Sequence, residues 1–271
     1  MPDKEKHFTP IDFRNHIRIK PEKIIDTAGR LTSENALKNA DSCETVTYPC
    51  PYFNDGRMTT LNVIKPSLEQ ILGFHELLAL GFRRSGSIFY LNSCQECKDC
   101  ISIRIPIRTF SPSKSQRRTL RQNSDIQVVI SHFSERSETE TQKKFDLFQK
   151  YMIGKHGNKE NAQWMEFYSL HHGYPFTTEI HYYLKDRLIG VSVIDEGKNA
   201  ISSNYFYYDP DLLDRRLGIF SILKEIEYAE SQGKEFYYLG FYIENCQKMA
   251  YKKNIRPNEI LSSGKWTSFL A

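Results

Sequence analysis

Cys94, Cys97 and Cys100 fall at every third position of "NSCQECKDC", and Cys50 sits between Pro49 and Pro51. Three thiols on one loop, with Cys50 as a fourth, suit a soft metal. The two-residue spacers favour an iron–sulfur cluster, with Zn²⁺ the alternative. A metal-free reduced loop and a disulfide stay open as plainer readings. Six cysteines in 271 residues do not make a disulfide scaffold.

A basic segment follows at once. Between Ile101 and Arg121 the chain carries Arg104, Arg108, Lys114, Arg117, Arg118 and Arg121 and no acid; Lys248, Lys252, Lys253 and Arg256 form a second acid-free run. These ten charges exceed the chain's net charge of +4, so the remainder is acidic. Two cationic islands on an acidic body read as an anion site, with nucleic acid the leading ligand. The plainer reading is two solvated faces. Lys114, Arg117, Arg118 and Arg121, with Lys248, Lys252 and Lys253, are the expected phosphate contacts.

A third arrangement spans 205–220. A strand ends at "YYDPD" and a helix begins around "DRRLGIF". Helix N-termini present free amides and a positive dipole end, so Arg215, Arg216 and Gly218 compose a candidate anion loop. Arg83 and Arg84 in "GFRRSG" are a further pair able to grip a carboxylate bidentately, or else they complement the end of the preceding helix. Asp209 and Tyr207, at the strand end, are the candidates for acid–base work. Asp before Pro is also a common turn former.

Several elements must position these groups. Ser67 and Gln70 form a capping box ahead of Leu68, Ile71, Leu72 and Leu78, and Gly81 stops that helix. Beyond residue 125 the order is strand, helix, a hairpin turning near Lys185–Arg187, strand, helix, strand. The last helix carries the stripe Ile219, Ile222, Leu223, Ile226 and Ala229. This order predicts an α/β (α+β) fold with a mixed sheet. The expected divisions are an extension over 1–45, a smaller cysteine-bearing N-terminal domain over 46–125, and a second domain over 126–271. No signal peptide pattern or membrane-spanning apolar run is visible, so a cytoplasmic protein with no membrane partner is expected.

The strand, Arg-x-x-Gly, helix order resembles the pyrophosphate loop of acetyl-CoA-dependent N-acetyltransferases, except that Phe220 stands where a small residue is usual. "GFRRSG", "CQECKDC", "SPSKSQRR", "YYDPDLLDRRLGIFSILKEIEYA", "YYLGFYI" and "KMAYKKNIRPNEIL" together resemble one family more specifically, the aminoacyl-tRNA–protein transferases. The likeness runs from about Tyr48 to Trp266. The cysteine run is similar to that of the bacterial branch, the aspartate/glutamate leucyltransferases.

The resemblance implies an acetyltransferase-like C-terminal domain and a reaction. An aminoacyl group, usually leucine, passes from aminoacyl-tRNA to the α-amino group of a protein that starts with Asp or Glu, which creates a degradation signal. It also implies a cluster at Cys50, Cys94, Cys97 and Cys100. On that reading Arg83, Arg84, Arg215 and Arg216 are candidates to read the acceptor carboxylate. The aminoacyl ester is already activated, so no cofactor is needed for the transfer itself. Arginyl transfer, a coenzyme A-dependent acetyltransferase and an RNA-binding module with a metal knuckle are the competing readings.

Overall fold

The computed structural model describes residues 32–132, 138–156 and 162–269. Of the extension expected over 1–45, residues 1–31 lie outside the described residues. In chain order the first half contains α1 (Ser33–Lys38), β1 (Ser42–Pro49), β2 (Met58–Lys65), α2 (Leu68–Leu72), α3 (Phe74–Ala79), β3 (Arg83–Ser85), β4 (Ile88–Asn92), β5 (Ile101–Pro106), α4 (Lys114–Gln122) and β6 (Ile126–Ser131). The second half contains α5 (Glu138–His156), α6 (Trp164–His172), β7 (Thr177–Leu184), β8 (Arg187–Glu196), β9 (Ala200–Tyr208), α7 (Leu217–Ser231), β10 (Phe236–Tyr242), α8 (Gln247–Ala250), β11 (Glu259–Ser262) and β12 (Lys265–Ser268).

Two sheets organise these elements. The smaller has the order β1-β2-β4-β3; the larger runs β12-β11-β5-β10-β9-β8-β7-β6. The expected mixed sheet is present: β9 and β10 pair in parallel, while their other neighbours pair antiparallel. The expected boundary at 125 is corrected. β5 lies inside the larger sheet between β11 and β10, so the sheet draws on residues from both proposed domains. A strand there needs partners on both edges, and the chain supplies them from residues far downstream.

Burial explains the layering. β7 and β8 are buried along almost their whole length, so both faces of the sheet are covered there, and the polar Thr177, Thr178, Glu179 and His181 of β7 are buried with them. On one face α7 packs Phe220, Ile222, Ile226 and Ala229 against Ile103, Ile180 and Ile194. On the other, Phe148 of α5 and Phe167 of α6 meet Val191, Val193 and Tyr207. The smaller sheet and its helices close the same side through Phe74, Phe82, Phe89 and Tyr238. Ser67 and Gln70 form the expected capping box at α2. The 248–261 segment is structured: after a 3-10 turn over Tyr251–Asn254 it enters β11, and Trp266 of β12 donates to the Ala79 carbonyl at 2.8 Å.

Candidate functional site

The basic residues after the cysteines divide into two kinds. Arg104 turns inward, stacked on Phe236 (3.7 Å to the ring centre) and Trp266 (4.3 Å) and paired with Glu259 at 2.7 Å. Lys114, Arg117, Arg118 and Arg121 lie on α4 at helical spacing and are all exposed, while Gln116 and Thr119 face inward. Ser113 and Gln116 form a reciprocal capping box that starts this helix. Gln116 Nε2 donates to the Asn254 carbonyl, and Arg216 Nη1 reaches Ser115 Oγ at 3.1 Å. The two basic runs, far apart in sequence, therefore adjoin. Lys248 and Arg256 are exposed beside them, and Lys253 lies 3.8 Å from Glu244. Lys252 is corrected from the expected phosphate contacts: it is 9% exposed, and its ammonium donates inward to the Phe241 carbonyl at 2.9 Å.

The four arginines expected at the acceptor carboxylate are not brought together. Arg84 is buried and bound bidentately by Asp195, with Nε and Nη2 each 2.7 Å from a carboxylate oxygen. Arg215 pairs with Asp125 at 2.8 Å on the surface, and Arg216 is exposed beside α4. Arg83 alone is buried with no carboxylate against it among the described residues: it donates to the carbonyls of Phe82 and Gly240, and its Nε has no partner. As complements to the end of the preceding helix, Arg83 and Arg84 are both buried, and the acceptors they bind lie outside α3.

Asp209 and Tyr207, the acid–base candidates, are both engaged by neighbours. Burial raises the Asp209 carboxyl, but Lys150 at 2.6 Å, the Asp211 amide and Arg187 outweigh it and hold the group below the usual carboxylate value, which makes it a poor base. Tyr207 is wholly buried, its hydroxyl 3.1 Å from His171 Nε2. The candidate anion loop of Arg215, Arg216 and Gly218 lies at the start of α7. α7 begins after Arg216 in the left-handed region, Gly218 has open space where a Cβ would stand, and Phe220 points into the core edge-on to Tyr182. Phe220 fills the space between helix and sheet.

The sequence reading missed two buried polar centres, around Glu179 and Glu225, and the pairing of Arg83 with Lys252. Glu179 accepts from Lys144, His171 and His181 at 2.6–2.8 Å between α5, α6 and β7. Glu225 of α7 accepts from the hydroxyls of Ser192 and Tyr237, each at 2.7 Å, and burial raises its carboxyl. Arg83 and Lys252 converge on adjacent carbonyls of β10. A polar residue at an inward position of a strand or helix was the only signal for these.

The cysteines share one neighbourhood. Cys94, Cys97 and Cys100, with Lys98, Leu261 and Ser262, line a cleft of about 590 Å³. The Thr60 amide donates to Cys94 Sγ at 3.4 Å and Arg57 to Cys97 Sγ at 3.5 Å. Burial pushes the Cys100 thiol up to about 12, with the neighbouring Cys94, Cys97 and Cys50 adding to the rise. Burial raises Cys50 too, but the Thr59 hydroxyl, the Tyr52 and Phe53 amides and Arg57 more than offset it and hold that thiol low. All six cysteines are free. The donor chemistry suits a thiolate-bound metal. Among the described residues, however, no three Cys, His, Asp or Glu side chains stand close enough to share an ion.

β9 and β10 pair only from Ala200 to Ser202 and from Phe236 to Tyr238, then separate. Tyr205 and Tyr208, beyond the pairing on β9, pack against Tyr151 of α5. The opening thus begins beyond Ser202 and Tyr238, and on its β10 side lie the Gly240 and Phe241 carbonyls that Arg83 and Lys252 bind.

Comparison with known proteins decides the family. The model described as "Arginine-tRNA-protein transferase, N terminus" matches residues 48–118, and its C-terminal counterpart matches 143–262. The chain belongs to the arginine-tRNA-protein transferase family. It is therefore an aminoacyltransferase. An aspartate/glutamate leucyltransferase of Pseudoalteromonas atlantica is 38% identical over 224 residues, 81% of this chain and 93% of that protein. That of Saccharophagus degradans is 35% identical over 233 residues, covering 83% and 95%; that of Shewanella oneidensis is 40% identical over 226 residues, covering 81% and 90%. Among solved structures, FemX aligns with a TM-score of 0.48 at 10% identity over 93% of this chain and 94% of that one. A structure titled L-PGS, from Bacillus licheniformis, aligns at 0.48 and 10% over 78% and 72%. Among the described residues no helix is long and apolar enough to cross a membrane.

Proposed function

We propose that this aminoacyltransferase moves leucine from Leu-tRNA to the α-amino group of proteins that begin with Asp or Glu, in the cytoplasm, marking them for degradation. The observation that carries the reading is the family likeness through both halves of the chain, with relatives named aspartate/glutamate leucyltransferase matched over 90–95% of their length.

The geometry supports a division of labour. The exposed basic face of α4, continued by Lys248 and Arg256, suits the phosphates of the tRNA acceptor stem, contacts that give affinity and salt dependence rather than sequence choice. The opening between β9 and β10 receives the tRNA's aminoacyl end. The acceptor's α-amino nitrogen attacks the ester carbonyl carbon. The N–C bond forms, the C–O bond to the ribose breaks, and the ribose hydroxyl leaves with the proton given up by nitrogen. An α-amino group titrates near pH 8, so a useful fraction is neutral without a strong base. Alignment of two bound substrates supplies most of the acceleration. A resident acetyltransferase-like architecture in the β9–α7–β10 unit belongs to this reading.

Cys50, Cys94, Cys97 and Cys100 would hold an iron–sulfur cluster or Zn²⁺ after a local adjustment of the loop, and such a group would supply rigidity to the segment leading into β5. No step of the transfer depends on it.

The test charges bulk tRNA separately with labelled Leu and labelled Arg and offers each to peptides starting with Asp, Glu, Lys and Ala. Label from Leu on the Asp and Glu peptides alone is expected. Label from Arg instead would keep the reaction and replace the donor. No label on any peptide would refute the reading.

A further inference from the structure

A buried carboxylate is normally matched by a cation, because a charge stripped of water must be compensated from within. Glu179 has Lys144, and Asp195 has Arg84. Glu225, in the middle of α7, departs from that rule. It is wholly buried, and among the described residues its partners are hydroxyls alone. Ser192 donates to Oε1 and Tyr237 to Oε2, each at 2.7 Å, and Ser203 adds a third hydroxyl. Tyr182, its hydroxyl 3.2 Å from Ser192 Oγ, extends the network. An apolar side chain of similar size would spare the fold this desolvation, so packing alone gives no reason for a carboxylate here.

The three hydroxyls come from three neighbouring strands, β8, β9 and β10, at the level where the sheet splits. The parallel pairing of β9 with β10 ends at Ser202 and Tyr238. Ser203 is the first β9 residue beyond it, and Tyr237 lies one residue before its end on β10. Both strands turn irregular immediately afterwards. Ile194 faces Ser203 but Val193 faces Tyr205, so Asn204 is an extra residue that bulges β9. On β10 the register with β5 shifts between Tyr238 and Phe241, around Gly240 at φ +83°. Beyond the split, among the described residues, no shared ladder sets the distance between these two strands. A carboxylate can set it: it only accepts, and its two oxygens together take up to about four donors. Glu225 thus ties the roots of both strands to α7.

Resting on the function proposed above, we propose that Glu225 is a positioning residue: it clamps Ser203 and Tyr237 at the root of the β9–β10 opening and so holds the gap at the width that aligns the aminoacyl ester with the acceptor's amine. It touches neither substrate and moves no proton. It acts on the alignment that supplies most of the acceleration, and a displacement of about 1 Å at a reacting centre can cost on the order of a hundredfold in rate. Glutamine keeps the clamp in part, since its oxygen accepts from hydroxyls and its NH₂ donates to one. Leucine has a similar volume and none of the bonds.

The test compares the full-length protein with its Glu225→Leu, Glu225→Gln and Tyr237→Phe variants, each assayed at a temperature where its unfolding curve shows it fully folded. Transfer from charged tRNA to an Asp-starting peptide gives kcat and KM. Hydrogen–deuterium exchange is followed in the peptides covering Ala200–Tyr208 and Phe236–Tyr242. Glu225→Leu is expected to lower kcat by about tenfold or more, to leave KM for charged tRNA within about twofold, and to speed exchange in both peptides. Tyr237→Phe deletes one oxygen and should show a smaller loss of the same kind, which keeps the comparison open should Glu225→Leu fold poorly. Glu225→Gln is expected to recover most of kcat. Unchanged exchange in Glu225→Leu would overturn the clamp. A kcat as low in Glu225→Gln as in Glu225→Leu would assign the effect to the charge and overturn it too. Faster exchange with kcat unchanged would leave Glu225 a purely structural role and overturn the positioning claim. No transfer by the wild type to any peptide would overturn the proposed function, and the positioning role with it, while the exchange data still decide whether the clamp exists.

Discussion

Asp195→Asn should be one of the most destabilising single-atom changes in this chain. Asp195 and Arg84 are each 2% exposed at the side chain, and the carboxylate accepts from Arg84 Nε at 2.7 Å, Arg84 Nη2 at 2.7 Å and Thr177 Oγ1 at 2.9 Å. An amide in its place keeps one acceptor, turns its NH₂ towards the Arg84 Nε–H, and leaves the guanidinium buried without a counter-charge. Breaking a buried pair from one side costs about 3–5 kcal/mol. For a chain of this size that lowers the unfolding temperature by roughly 10 °C. Thermal unfolding and the urea midpoint, followed by circular dichroism, read the effect. The double variant Arg84→Met/Asp195→Leu, which removes both charges, should regain most of the loss. A cost below about 1 kcal/mol, the size of an exposed pair, would refute the picture of Arg84 as a clamp between the two sheets and return it to the pool of substrate-reading arginines.

Exchanging Arg117 or Arg121 on α4 for Gln should weaken tRNA binding and lower the slope of log affinity against log salt by about 1 each; filter binding across a salt series checks this, and an unchanged slope would remove α4 from the interface. Asp209 is held below its unfolded value, so its stabilising contribution is complete above about pH 4 and disappears as pH falls through the folded value. Asp209→Asn should therefore flatten the acid limb of the stability curve, and an acid limb identical to wild type would contradict this. Lys252 runs the other way: its folded pKa is about 7 and its unfolded value near 10.4, so the unfolded chain binds more protons between them and stability rises with pH across that window. Lys252→Met should abolish that rise, seen as a wild-type-minus-variant difference that climbs from pH 7 to 10; a flat difference would show the ammonium to be solvated. Phe220→Ala should cost about 3–5 kcal/mol in urea unfolding and create no coenzyme A binding, because the ring fills core rather than guarding a loop.

What the sequence by itself determined is local. The capping box at Ser67 holds, because its hydrogen bonds close within three residues. The basic face of α4 follows from the spacing of Lys114, Arg117, Arg118 and Arg121. The stripe on α7 is buried at Ile222, Leu223, Ile226 and Ala229, with Ile219 only half covered. Family membership was legible in the order of the motifs.

What only the tertiary structure decided is the fate of each individual charge. Arg83 and Arg84 are neighbours on a short strand, so their side chains leave on opposite faces. One meets a carboxylate 111 residues away; the other meets none among the described residues. Lys248 and Lys252 share a turn of basic chain, yet one is solvated and the other buried under β10. Tyr207 and Asp209 stand at a strand end as expected, but His171 holds the first and Lys150 with Arg187 the second. Sequence spacing determines which face of an element a residue occupies. The distant segment that packs on that face determines whether its charge is solvated, neutralised or buried without a counter-charge.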